Sequence, residues 1–144
     1  MTQLVEIVDR YNDAWNAQDL DAVAALHADD IVFDNHTAGE TVVGAAAVRA
    51  HIGGIFERWP DLRFRGRSPL RLGPNFVVSE WTATATASDG RRLEWDGVDI
   101  LPFRDGLLTR KDVYSSSHAP RVVSTTRRPP DHDAHDAHDA HDDR

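Results

Sequence analysis

The sequence predicts an α+β domain in which helices cover one face of a curved antiparallel sheet. Three observations carry that expectation. Apolar residues recur at helical spacing as far as Trp59, after which the pattern changes to alternation as far as Ser116. Two Asp-Gly turns, "SDGR" at Ser88 to Arg91 and "RDG" at Arg104 to Gly106, then join alternating segments in the way a meander requires.

The elements follow in order. Leu4, Ile7, Val8, Tyr11, Ala14 and Trp15 fall on one face of a first helix, and Asp19 caps a short second helix running through His27. "DDIVFDNH", Asp29 to His36, reads as a strand with Ile31, Phe33 and Asn35 on one side, and "TAGETVVG" as a loop ending at Gly44. Val48, Ile52, Ile55, Phe56 and Trp59 give a third helix over Ala45 to Trp59, stopped by Pro60. The Gly53-Gly54 pair weakens it by about 1 kcal/mol per glycine relative to alanine. Four strands are then expected: Leu62 and Phe64, Phe76 to Ser88, Arg91 to Phe103, and Leu107 to about Ser116.

From His118 the composition changes. "HAPRVVSTTRRPP" is basic and turn-rich, and "DHDAHDAHDAHDDR" lacks side chains large enough to build a core, so the expected organisation is a domain over 1–117 and a disordered tail over 118–144. A chain of 144 residues with 40% hydrophobic content suits one such domain. Its net charge of −8 and single lysine argue against nucleic-acid and anionic-membrane partners. The absence of cysteine removes disulfides, thiolate zinc sites and thiol nucleophiles. No signal peptide or membrane span is indicated, and a cytoplasmic location is expected.

The strand "LEWDGVDILPF", Leu93 to Phe103, holds the first hint of a site. One face reads Leu93, Trp95, Gly97, Asp99, Leu101, Phe103, and an acid on a core face must be paired, protonated or otherwise accounted for. Tyr11 and Asn35 are likewise polar groups at apolar positions. Each has a plain structural reading: a core aromatic with a bonded hydroxyl, a turn cap, an Asp–Arg pair. Gathered beside Trp15, Phe33, His36, Trp59, Trp81 and Trp95, they would instead line a pocket for a small apolar, oxygen-bearing ligand. His51 reads as a packed core histidine. In the tail, His132, His135, His138 and His141 recur every three residues and offer imidazoles to a metal, although a solvated repeat needs no such site.

The segment "RYNDAWNAQDLDAVAALHADDIVFDN", Arg10 to Asn35, resembles the nuclear transport factor 2-like superfamily, in particular its SnoaL-like domains of ketosteroid isomerase and polyketide cyclase type. The likeness covers about residues 3 to 117, including Gly44 to Val48 and the closing strand from Phe103 to Tyr114. It implies a cone of three helices and a curved sheet around one apolar pocket, a homodimer formed through the outer face of the sheet, and no cofactor. It further implies that Tyr11 and a protonated Asp99 donate to a developing oxyanion, as in ketosteroid isomerases. Asn35 falls where those isomerases carry their base and cannot accept a proton at neutral pH; it would position substrate or water. Asp112, or Asp96 on the polar side of its strand, is then the available carboxylate base. The expected function is cofactor-free acid–base chemistry (isomerisation, cyclisation, dehydration or hydrolysis) on a polyketide-, terpenoid- or steroid-like ketone. A non-catalytic binding or dimerisation module is the alternative.

Overall fold

The computed structural model describes residues 2–116 and 120–125. Three helices precede most of the sheet: α1 (Thr2–Ala17), α2 (Leu20–Ala24) and α3 (Ala45–Arg58). The strands are β1 (His27–Asn35), β2 (Glu40–Val43), β3 (Arg63–Gly66), β4 (Arg71–Leu72), β5 (Phe76–Thr86), β6 (Arg91–Arg104), β7 (Leu107–Ser115) and β8 (Arg121–Thr125). They form one curved, unclosed sheet in the order β2-β1-β7-β6-β5-β3, with β4 on β5 and β8 on β6. The α+β class is therefore as expected, with one addition: β1 pairs with β7 in parallel, so the sheet is mixed.

Local chemistry explains the boundaries. Asp19 caps α2 by accepting from the Ala22 amide at 3.1 Å, but the helix ends at Ala24 and His27 already belongs to β1. The predicted loop before Gly44 contains β2, which pairs with β1 from Val32↔Val43 to Asn35↔Glu40. The two Asp-Gly turns differ. Asp105 and Gly106 both take positive φ, 54° and 77°, in the two-residue link between Arg104 and Leu107. At the other turn Gly90 has positive φ and Asp89 does not, and the Ala87 amide bonds to the Arg91 carbonyl across a three-residue loop.

The apolar faces of α1 and α3 close over one side of the sheet. Val8, Ile31, Ile52, Leu62, Leu93, Trp95 and Leu101 are fully buried between them. β8 pairs with the start of β6, at Arg91↔Thr125 through Glu94↔Arg121, so the sheet continues beyond Ser117, the expected end of the domain. Arg121 there donates to Glu94 at 2.9 Å and to Asp96 at 3.2 Å, which holds by charge a last strand whose two valines are exposed. The His132, His135, His138 and His141 repeat lies outside the described residues.

Among the described residues, no helix is long and apolar enough to cross a membrane.

Candidate functional site

Strand parity brings Asp99 to the inner side of the sheet. Its neighbours across the ladder are Ser79 on β5 and Val113 on β7, and it is 5% exposed. Diagonal to it on β7 stands Lys111, 3% exposed, whose Nζ donates to Asp99 Oδ2 at 2.9 Å. The same ammonium lies 4.8 Å from the ring centre of Trp15 and 5.3 Å from that of Tyr11. Two aromatic faces and a carboxylate are thus among the groups that stand where a lysine normally keeps water.

A β-bulge puts Lys111 there. Phe103 pairs with Leu108 and Ile100 with Asp112, so β7 spends four residues where β6 spends three. Leu108 faces inward; without the extra residue Arg110 and Asp112 would share that side. The insertion reverses the parity, and Lys111 and Val113 turn inward while Asp112 turns out.

The pair closes the inner end of a cavity of about 210 Å³, lined also by Trp15, Phe64, Trp81 and Ser79 and, toward the surface, by Asn12, Asp13, Asn16 and Gly66. Its aromatic wall interlocks edge to face: Trp15 with Phe64 at 5.8 Å and Phe64 with Trp81 at 5.1 Å between ring centres. Trp81 faces Gly97 in the ladder, and a Cβ at position 97 would sit 2.2 Å from its ring. Gly97 is what lets that indole lie flat against β6.

Behind Lys111, the Tyr11 hydroxyl meets His27 Nε2 at 2.8 Å. Burial first, and the positive Lys111 second, lower the His27 pKa to about 4, so at neutral pH this imidazole is uncharged.

The expected site residues separate accordingly. Asp99, Trp15 and Trp81 meet at the cavity. Asp99, expected as a protonated donor, instead accepts from an ammonium. Tyr11 touches Lys111 but turns its hydroxyl to His27 and is not part of the cavity wall. Asn35 is buried and its Oδ1 accepts from the Ala38 amide at 3.1 Å, so it caps the turn after β1 and does not line the cavity. Phe33 packs on Trp15 and His51, and Trp59 on Trp95, within the core.

His36 and Asp112 lie on the opposite side of the sheet. His36 Nε2 and Asp112 Oδ1 are 2.8 Å apart, Arg110 reaches both Asp112, at 2.9 Å, and Asp34, at 3.2 Å, and His36 stacks on Tyr114 at 4.3 Å. Asp112 therefore cannot serve the cavity as a base, because the bulge turns it away. Asp34, His36 and Asp112 could gather around a cation, but the Arg110 guanidinium already supplies positive charge to both acids. Asp96 is also on this side, held by Thr82 and Arg121.

Lys111 and His27 did not emerge from the sequence as site residues. The available signal for Lys111 was its rarity, one lysine among sixteen Lys and Arg residues. The apolar pattern of α2 continues to His27 and hides that this residue opens β1.

Comparison with known proteins agrees with this fold. The chain superimposes on an NTF2-like protein of unknown function from Burkholderia pseudomallei with a TM-score of 0.73 at 20% identity, covering 81% of this chain and 93% of that one. A proposed SnoaL-like polyketide cyclase from Jannaschia sp. CCS1 matches with a TM-score of 0.70 at 23% identity, over 80% of this chain and 86% of the other. A proposed ketosteroid isomerase from Kribbella flavida matches with a TM-score of 0.67 at 20% identity, over 92% and 86%. No curated protein matches the chain. The model of the SnoaL-like domain matches residues 8–111, which include α1 from Val8 onward, β1, the aromatic wall, Asp99 and Lys111, and the chain belongs to the SnoaL-like domain family.

Proposed function

We propose that this protein binds a small carbonyl compound in the cavity and moves a proton on it without a cofactor. The observation that carries this reading is the buried Lys111–Asp99 pair at the end of a cavity whose other end is formed by the exposed Asp13 and Gly66. An ion pair so placed has no need of a cavity for its own stability, whereas a reacting molecule needs both. Lys111 is set to donate to a carbonyl oxygen as negative charge develops there, and the Asp99 carboxylate to take a proton from the adjacent carbon. Trp15, Phe64 and Trp81 supply a flat apolar wall and keep water from the developing charge.

Size narrows the ligand. Drug-sized sites occupy about 300–1,000 Å³, and a cavity of about 150 Å³ holds benzene. A volume of about 210 Å³ suits a single substituted ring or a short chain, not a fused steroid. Polyketide-like fragments with one ring fall within that limit.

The test is deuterium exchange at the carbon next to the carbonyl of cyclohexanone, followed by proton NMR in heavy water. Exchange should run well above the buffer rate with the full chain, and Asp99→Asn should lower it by about 10²-fold or more. Exchange no faster than buffer would leave only a binding module.

A further inference from the structure

Arginine carries the positive charge almost everywhere else in this chain. Asp21, Asp30, Asp61, Asp89 and Asp96 each meet an arginine, and even the nearly inaccessible Arg91 is tied to Asp89 at 2.8 Å. The single lysine among sixteen Lys and Arg residues is the one facing the cavity. A static partner for Asp99 could have been an arginine, whose planar fork binds a carboxylate at two points. What arginine cannot do is give up its proton and use the nitrogen as a nucleophile. Lys111 can, and the carboxylate that would receive the proton is 2.9 Å away.

We propose that Lys111 is a covalent catalyst that forms a Schiff base with an aldehyde or ketone bound in the cavity. This rests on the carbonyl-substrate reading above and specifies its chemistry. The ammonium passes a proton to Asp99, and the free amine attacks the carbonyl carbon. A C–N bond forms, the carbonyl π pair moves to oxygen, and that oxygen takes up the proton the nitrogen releases. Asp99 returns its proton to the hydroxyl, the C–O bond breaks, and water leaves. The products are a protonated iminium on Lys111, paired with the Asp99 carboxylate, and one water; nothing is oxidised or reduced. Asp99 then removes the proton from the adjacent carbon, giving an enamine, a step the cationic iminium makes far easier than the parent ketone would.

The surroundings suit these steps. Trp15 and Tyr11 present ring faces to the nitrogen, which accommodates the cation before and after the reaction. His27 is bound to Tyr11 and uncharged at neutral pH, so it does not compete with Lys111 for Asp99. The outer cluster of Asp34, His36, Arg110 and Asp112 contains no primary amine and has no counterpart of this chemistry.

A chain with one lysine makes the test simple to read, because the other primary amine is the N-terminal α-amine. The 144-residue chain is incubated with cyclohexanone, and separately with hexanal, in the presence of cyanoborohydride, and adducts are located by intact mass and peptide mapping. The expected result is one reduced adduct on Lys111, formed at least about tenfold faster than on the α-amine and than on Lys111 in guanidinium-unfolded chain. Modification of the α-amine alone, or of Lys111 no faster folded than unfolded, overturns the Schiff base. Exchange of cyclohexanone measured in the same samples separates the two readings. Exchange without trapping refutes the covalent step and leaves non-covalent acid–base chemistry, whereas the absence of both removes the carbonyl reading as well. Lys111→Arg keeps a cation beside Asp99, so its exchange should fall to the buffer rate, and exchange within about threefold of the parent would refute a covalent role. If that variant does not fold, trapping on the parent chain decides alone.

Discussion

Lys111 and Asp112 are consecutive residues of one strand, yet they belong to two differently built charge clusters. Inward, Lys111 and Asp99 form a pair with only a few per cent of their surface exposed, between aromatic rings and at the end of a cavity. Outward, Asp112 joins Asp34, His36 and Arg110 in a half-exposed network where each charge has more than one partner. Both clusters satisfy their charges. The inner one has done so where little of either side chain reaches the surface, which makes it costly to disturb and sets it at the end of a space a ligand can enter. The outer one is redundant, and redundancy suits a surface, not a reaction.

The largest effect that would expose this contrast is on stability. Lys111→Met leaves Asp99 buried beside an apolar side chain and should cost about 3–5 kcal/mol, measured by urea denaturation, whereas adding Asp99→Leu should recover most of that loss. A single-variant cost under about 1 kcal/mol would mean that the inner pair is solvated like the outer one.

The next effect is on pH dependence. The folded-state pKa of His27, about 4, lies below its ordinary value of 6.5, so the unfolded chain binds more protons in that interval. The stability linked to neutral His27 is complete above pH 6.5 and is lost as pH falls toward 4, by up to about 3 kcal/mol. Denaturation midpoints should fall across that window in the parent and stay level in His27→Gln. An equal fall in both would show that the buried imidazole is not the titrating group.

The smallest effect belongs to the outer side. Burial raises the Asp112 pKa, but hydrogen bonds from Arg110 and His36 and the charge of Arg110 outweigh it, and the net direction is down from 3.8. Its contribution is therefore present above pH 3.8 and disappears as pH falls through the lower folded-state value, outside the His27 window. Asp112→Asn should cost at most about 1 kcal/mol at neutral pH and leave cyclohexanone exchange unchanged. A loss of exchange would place Asp112 in the reaction after all.

Much of the fold could be read from the residues. The helix faces of α1 and α3, the two Asp-Gly links and the inward row of β6 all follow from local periodicity and turn chemistry, and periodicity survives because burial selects one face at a time. Asp99 stood out for the same reason, as an acid within a row that is otherwise apolar or glycine. The weaker readings fell on short elements. β2 and β4 are four and two residues long, too short for alternation to distinguish them from loop, and α2 stops a turn before its apolar pattern does. Alternation puts Asn35 on the inner side of β1, but whether its amide faces a cavity or a turn depends on the Ala38 amide three residues later.

The sequence by itself determined that this chain builds an α+β domain with tryptophans and one acid on its inner side, because side-chain alternation and helical spacing are local properties of a chain. Only the tertiary structure decided which partner that acid meets. The deciding event is one extra residue in β7, visible only in register against β6, which exchanges Asp112 for Lys111 on the inner side. A bulge leaves no mark on composition and depends on the pairing of two strands, so the cation at the end of the cavity is a property of the folded sheet.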